Sequence, residues 1–202
     1  MRSSQIIFLT GFLFSFTVLY QEYESALIPT EKGAVLAFTS DNKSFSIELI
    51  SENVEPLEQR NLVKIDDWIL QAFIIGFDNP KNVDLSTEEE QKKSLSQYVM
   101  YEINYFKEEL GFKCDSLELK WGQLNNNYFY FWHFNTPDSL ETLHKQIFLT
   151  TICHDQFLNM NIPLEKTKNF KDAKDLLFTI GRTLKIEDKP VDFDELYNEL
   201  NK

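Results

Sequence analysis

Two long stretches of this chain repeat their apolar residues with a helical period, and most of what separates them alternates in twos. In the first, Leu95, Val99, Ile103, Phe106 and Leu110 recur three or four residues apart and line one helical face. In the second, Phe170, Ala173, Leu177, Ile180 and Leu184 do the same. A helix with one apolar stripe must lay that stripe on something, and the alternating segments supply the surface. The pattern therefore predicts an α+β fold: a single antiparallel sheet, shielded by two main helices over about 86–110 and 170–184.

The helix ends carry their own signals. Ser86 with Glu89 forms a capping-box pattern, acidic Glu88 to Glu90 suit a helix N-terminus, and Gly111 is a fit stop. Asn169 is a fit N-cap for the second helix. Gly181 inside that helix costs about 1 kcal/mol relative to Ala, and close approach to the sheet would explain it.

Among the strands, Phe45, Ile47 and Leu49 alternate with Ser44, Ser46 and Glu48, the mark of a half-buried strand. The run 65–77 is apolar on both faces beyond Asp67 and reads as one central strand ended by Asp78-Asn79-Pro80. Residues 26–34 read as a connector and 51–63 as a loop. Leu117, Leu119 and Trp121 alternate with Glu118 and Lys120, Asn125-Asn126-Asn127 make a turn, and Tyr128 to Phe134 return antiparallel. A second hairpin runs from Lys145 to Cys153, turns near His154-Asp155, and continues from Phe157 to Ile162 until Pro163 ends it. Asp192 and Glu195 open a short acidic helix carrying Phe193, Leu196, Tyr197 and Leu200.

The N-terminus points to export. After Met1-Arg2, the fifteen residues Ile6 to Tyr20 are uncharged and mostly apolar, the length of a signal-peptide core and short of a membrane span. Residues 1–26 thus read as a signal peptide helix, 36–186 as the α+β domain, and 187–202 as an acidic tail or short helix. The expected location is periplasmic or secreted, with an uncleaved membrane anchor as the alternative. A net charge of −12 speaks against a nucleic-acid partner, which needs a positive surface, and against docking on anionic lipid headgroups.

The segments KQIFLTTICHD and QFLNMNIPL, followed by a helix closing in IGRTLKI, resemble the PsbP-like superfamily with its DcrB-type bacterial envelope proteins. Thr183-Leu184-Lys185 and the early strand Phe45 to Ile50 belong to the same likeness, which covers most of 36–186. The resemblance implies an α/β/α sandwich around an antiparallel sheet and an accessory or binding role. It brings no catalytic residues.

Candidate sites are few. On the strand Tyr128 to Phe134, Tyr128, Tyr130, Trp132 and Phe134 share one face, with Phe129, Phe131 and His133 on the other. A central strand covered on both sides explains this. A groove lined by Trp121, Tyr128, Tyr130 and Trp132, gripping a peptide or apolar ligand, explains it too. Cys114 and Cys153 are the two cysteines. Bridged, they would close a loop worth roughly 4 kcal/mol, and unbridged they are buried thiols. Cys153 with a histidine (His133, His144 or His154) would make a thiol hydrolase, but neighbours in a strand face opposite ways. No spacing matches a zinc or calcium site, and no cofactor loop is present in the sequence. The sequence therefore points first to an exported accessory protein that binds a protein or peptide without catalysis. The alternatives are a thiol hydrolase and a carrier for an apolar ligand.

Overall fold

The computed structural model describes residues 23–58, 61–77 and 85–202. The signal-peptide run and the Asp78-Asn79-Pro80 turn lie outside the described residues. Eleven strands and three helices are described, and every strand pairing is antiparallel.

The strands form two sheets rather than the single one expected. The smaller joins β1 (Glu24–Thr30), β2 (Gly33–Thr39), β3 (Ser44–Ile50) and β11 (Lys185–Glu187) in that order. The larger runs β4 (Val54–Pro56), β5 (Leu62–Ile65), β6 (Trp68–Gly76), β10 (Gln156–Glu165), β9 (Leu143–Cys153), β8 (Asn127–Asn135) and β7 (Glu118–Leu124). Helix α1 is Glu88–Glu108, α2 is Phe170–Arg182 and α3 is Phe193–Leu200.

One local departure from the expected elements creates the smaller sheet, and two others add strands to the larger one. The supposed connector 26–34 is mostly strand, because Gly33 supplies a φ of 141° at the turn between β1 and β2. A β-carbon there would lie 2.0 Å from the Leu49 carbonyl oxygen, so the position takes only glycine. The apolar run 65–77 is not one strand. Asp66 adopts φ 50°, and its carboxylate accepts from Ser51 Oγ at 2.7 Å and Asn53 Nδ2 at 3.1 Å, which folds Asp66-Asp67 into the β5–β6 turn. The loop read over 51–63 likewise contains β4 and the start of β5. Pro163 does not end β10, which continues to Glu165. Past Asn161 that strand no longer pairs with β6 and pairs with β9 alone, a place where proline is tolerated.

The larger sheet divides the core. On one face α1 packs Leu95, Tyr98, Val99 and Ile103 against Trp132, Phe134, Phe148 and Phe157. On the other face α2 and the smaller sheet meet Phe129, Phe131, Ile147, Leu149, Leu158 and Met160. The alternation of period two along β8 is thus realised as drawn from the sequence, one set of aromatics to each face. Helix α3 covers the far side of the smaller sheet, with Phe193, Leu196 and Leu200 against Ile28, Val35 and Ala37. The packed body therefore extends beyond 36–186 in both directions. A signal cut after Ala26 would remove Glu24, Ser25 and Ala26 from β1, where they pair with Thr39, Phe38 and Ala37.

The caps follow the rules with one shift. Thr87, not Ser86, caps α1, its hydroxyl accepting from Glu90 N–H at 3.2 Å. Gly111 takes φ 67° just past the helix, where Phe112 N–H reaches back to Phe106 O at 2.9 Å. Asn169 caps α2 and Asp192 caps α3, the latter accepting from both Asp194 and Glu195 N–H. Gly181 sits where an added β-carbon would meet Leu149 Cδ2 at 2.7 Å and Leu124 Cδ1 at 3.0 Å. The helix lies that close to the sheet.

Candidate functional site

The structure gathers three of the four aromatics expected to line a groove. Trp121 on β7 stacks on Tyr128 of β8 at 5.2 Å and 10°, and meets Tyr130 at 5.2 Å. The opening turns of α1 clasp them. Glu88 accepts from the Trp121 indole at 3.2 Å and from the Tyr128 hydroxyl at 3.1 Å. That hydrogen bond to Glu88 pushes the Tyr128 hydroxyl above its ordinary pKa. Ser96 bonds Tyr130 at 2.9 Å, and Lys92 lies 5.7 Å over the Trp121 ring. This patch is a half-buried shoulder of the β7–β8 hairpin, held by a helix rather than open as a cleft.

Trp132 does not join it. Its side chain is wholly buried, stacked on Phe148 at 3.7 Å, with its indole N–H donated to Thr150 Oγ1 at 3.0 Å. Position 132 lies deeper along β8, opposite Phe148 of β9 and under α1, so it is core.

The cysteines are both free and buried. Cys153 belongs to the core on the α2 side and Cys114 to the core on the α1 side, so the sheet separates them and the bridge does not form. Burial pushes the Cys153 thiol far above its ordinary value, the opposite of what an attacking thiolate needs. His154 turns away at φ 57°, with Nε2 3.2 Å from the Ser44 carbonyl oxygen and Nδ1 3.6 Å from Asp188. His144 is exposed on β9. His133 is buried, with Nε2 3.7 Å from Glu118 and no hydrogen-bond partner for Nδ1 among the described residues. Burial, then Lys145, lowers its pKa. Among the described residues no three metal-ligating side chains cluster.

The opening with room for a ligand lies on the other face of the same hairpin. β7 is the last strand of the larger sheet, and its outer edge pairs with no described strand. On the α2 side it presents Glu118, Lys120, Gly122 and Leu124 opposite His133, Phe131, Phe129 and Asn127. Gly122 has no side chain to lay over Phe129, and a β-carbon there would meet nothing within 4 Å. The result is a hollow of about 270 Å³ with Phe129, Phe131, Leu149 and Phe178 among its walls and Lys120 and Lys174 at its rim. The Lys174 ammonium stands 5.5 Å from the Phe131 ring centre and 5.4 Å from that of Phe178. A neighbouring hollow of about 420 Å³ shares Lys174 and Phe178 and adds Arg182.

Sequence reasoning fixed on the aromatics and passed over Gly122, Lys120, Lys174 and Phe178. One signal was readable: a glycine inside an alternating strand marks weak packing or the close approach of another backbone. Lys174 and Phe178, four apart at the margin of the α2 stripe, gave no signal of their own. Compared with models of known protein families and with curated proteins, the chain finds a match in neither. Among the described residues no helix is long and apolar enough to cross a membrane.

Proposed function

We propose that this protein is an exported accessory protein that binds a protein or peptide partner without catalysis, and that β7 is its docking strand. The observation that carries this reading is an edge strand of seven residues, mostly exposed, with an apolar hollow immediately beside it. Such an edge offers a row of backbone donors and acceptors that a second extended chain can satisfy, and flanking pockets then read alternate side chains. The opposite edge of the same sheet is β4, three residues ending in proline, which suits that role poorly. Trp121, Tyr128 and Tyr130 stiffen the hairpin from the α1 side, so the strand is presented without a large ordering cost.

The signal-like N-terminal segment and the resemblance to PsbP-like envelope proteins support export and an accessory role. The buried Cys153 thiol and the turned-away His154 give the thiol-hydrolase reading no support. The 270 Å³ hollow falls just under the range of about 300–1,000 Å³ common for small-molecule pockets, and the adjoining 420 Å³ one is lined largely by Lys174, Asp175, Thr179 and Arg182, which suits a carried apolar ligand poorly.

A random-peptide phage library panned on the protein tests the reading. Selected peptides should slow backbone hydrogen exchange in β7 and be lost from a Gly122→Trp variant, whose β-carbon meets nothing within 4 Å and whose ring is large enough to block the hollow. Selection of nothing, or protection confined to other strands, would overturn it.

A further inference from the structure

Given β7 as the docking strand, we infer that its partner is an antiparallel segment with the pattern apolar–x–acidic–x–basic. The inference rests on the reading above and specifies the chemistry of that same site. Residues directly opposite one another in an antiparallel pair share a face, and alternate residues repeat on it. Along β7 the α2-side face reads Glu118, Lys120, Gly122. An added antiparallel strand meets these in reverse, so its residues i, i+2 and i+4 stand opposite Gly122, Lys120 and Glu118.

Each position asks for something different. Opposite Gly122 lies the hollow over Phe129 and Phe131, of a size for one large apolar side chain, with Gly122 itself placing nothing across its mouth. Opposite Lys120 the partner meets a positive rim. The chain as a whole is acidic, with 32 Asp and Glu against 20 Lys and Arg, yet Lys120, Lys174 and Arg182 border these two adjoining hollows. Lys174 stands over the Phe131 and Phe178 rings, and it and Arg182 feel Asp175 only at a distance, as their contribution to its lowered pKa shows. Asp175, the acid on that rim, is occupied by Lys171. A partner carboxylate two residues from the apolar anchor would neutralise this rim. Opposite Glu118, 3.3 Å from Lys120 and 3.7 Å from His133, a basic residue would take the carboxylate over as the partner acid takes over Lys120.

β7 of a second copy, in the register that pairs its charges, does not meet these demands. Pairing β7 with itself so that Glu118 faces Lys120 places Ser116 opposite Gly122, and the hollow stays empty. The pattern is therefore sought in a segment other than β7 in that self-paired register.

Three fluorescein-labelled peptides with threonine spacers test the pattern by anisotropy: Phe-x-Glu-x-Lys, the charge-exchanged Phe-x-Lys-x-Glu, and Ala-x-Glu-x-Lys. The first should bind about tenfold tighter than the second, the size of two cross-strand charge pairs turned repulsive, and tighter than the third. Lys120→Glu, at an exposed position with fold checked by circular dichroism, should favour the charge-exchanged peptide, and Lys174→Ala should narrow the first peptide's advantage. Equal binding of the first two peptides, including none, overturns the pattern, as does self-association that Gly122→Trp leaves intact. If library-selected peptides of another pattern still protect β7 from exchange, the docking reading stands and the pattern alone fails; if nothing protects β7, both fail.

Discussion

At the residue scale, the α1-side core is threaded by polar groups. The Trp132 indole donates to Thr150, Thr150 donates to Asn159 Oδ1, and Asn159 Nδ2 donates to Tyr98, all buried. Each group left unpaired there would cost about 1–3 kcal/mol, which explains why Trp132 is fixed in place and unavailable to a ligand. Glu102, beside Tyr98, ends the series. Burial raises its carboxyl to about 7, while the hydrogen bond from Tyr98 works the other way. Its pKa in the unfolded chain is near 4.5, so the folded state holds the extra proton between these values. Stability therefore falls as pH rises from about 4.5 to 7 and stays low above that. Glu102→Gln should raise the melting temperature at pH 8 and leave it nearly unchanged at pH 4.5. The gain should be about 1–2 kcal/mol, less than the full shift because the carboxyl keeps some water contact. Equal melting curves at pH 8 would remove the buried-acid account. His133 has the opposite sign: its lowered pKa takes stability away as pH falls below the ordinary histidine range.

At the element scale, α2 shows how close packing decides a residue. Its apolar stripe of Ala173, Leu177 and Ile180 was readable from spacing, and so was the tension of a glycine in the last turn. Why the glycine stays is a matter of distance: its missing β-carbon would stand within 3.0 Å of two buried leucine side chains. Gly181→Val should destabilise the protein by about 1–3 kcal/mol through overpacking, despite leaving the helix N-cap and stripe intact. A chemical denaturation midpoint equal to that of the unsubstituted chain would contradict this. The β7–β8 hairpin teaches the converse. Its turn, read as Asn125-Asn126-Asn127 and found to be the two residues Asn125-Asn126 with Asn125 at φ 53°, and its split of aromatics between two faces could be drawn from the sequence to within one residue. That β7 ends the sheet could not, because a strand's neighbours are set by pairings distant in sequence.

At the scale of the whole molecule, helix α1, the seven-stranded sheet, the layer of α2 with the smaller sheet, and α3 stack in that order. The two cysteines report on this arrangement, one on each side of the large sheet. Neither should react with iodoacetamide in the folded protein, and both should react fully once denaturant separates the layers. Mass spectrometry counts the adducts, and a rapid adduct on Cys153 under native conditions would mean that the core on the α2 side opens far more often than its burial implies.

Local periodicity determined the α+β class, the helix stripes, the caps within one residue and the opposing faces of β8, because each depends on neighbours a few positions away. The division into two sheets, the burial of Trp132, the separation of Cys114 from Cys153 and the open hollow at Gly122 were decided only by tertiary structure. Each of these depends on which strand lies next to which, a pairing that the alternating pattern permits in many arrangements and that packing of the complete core selects.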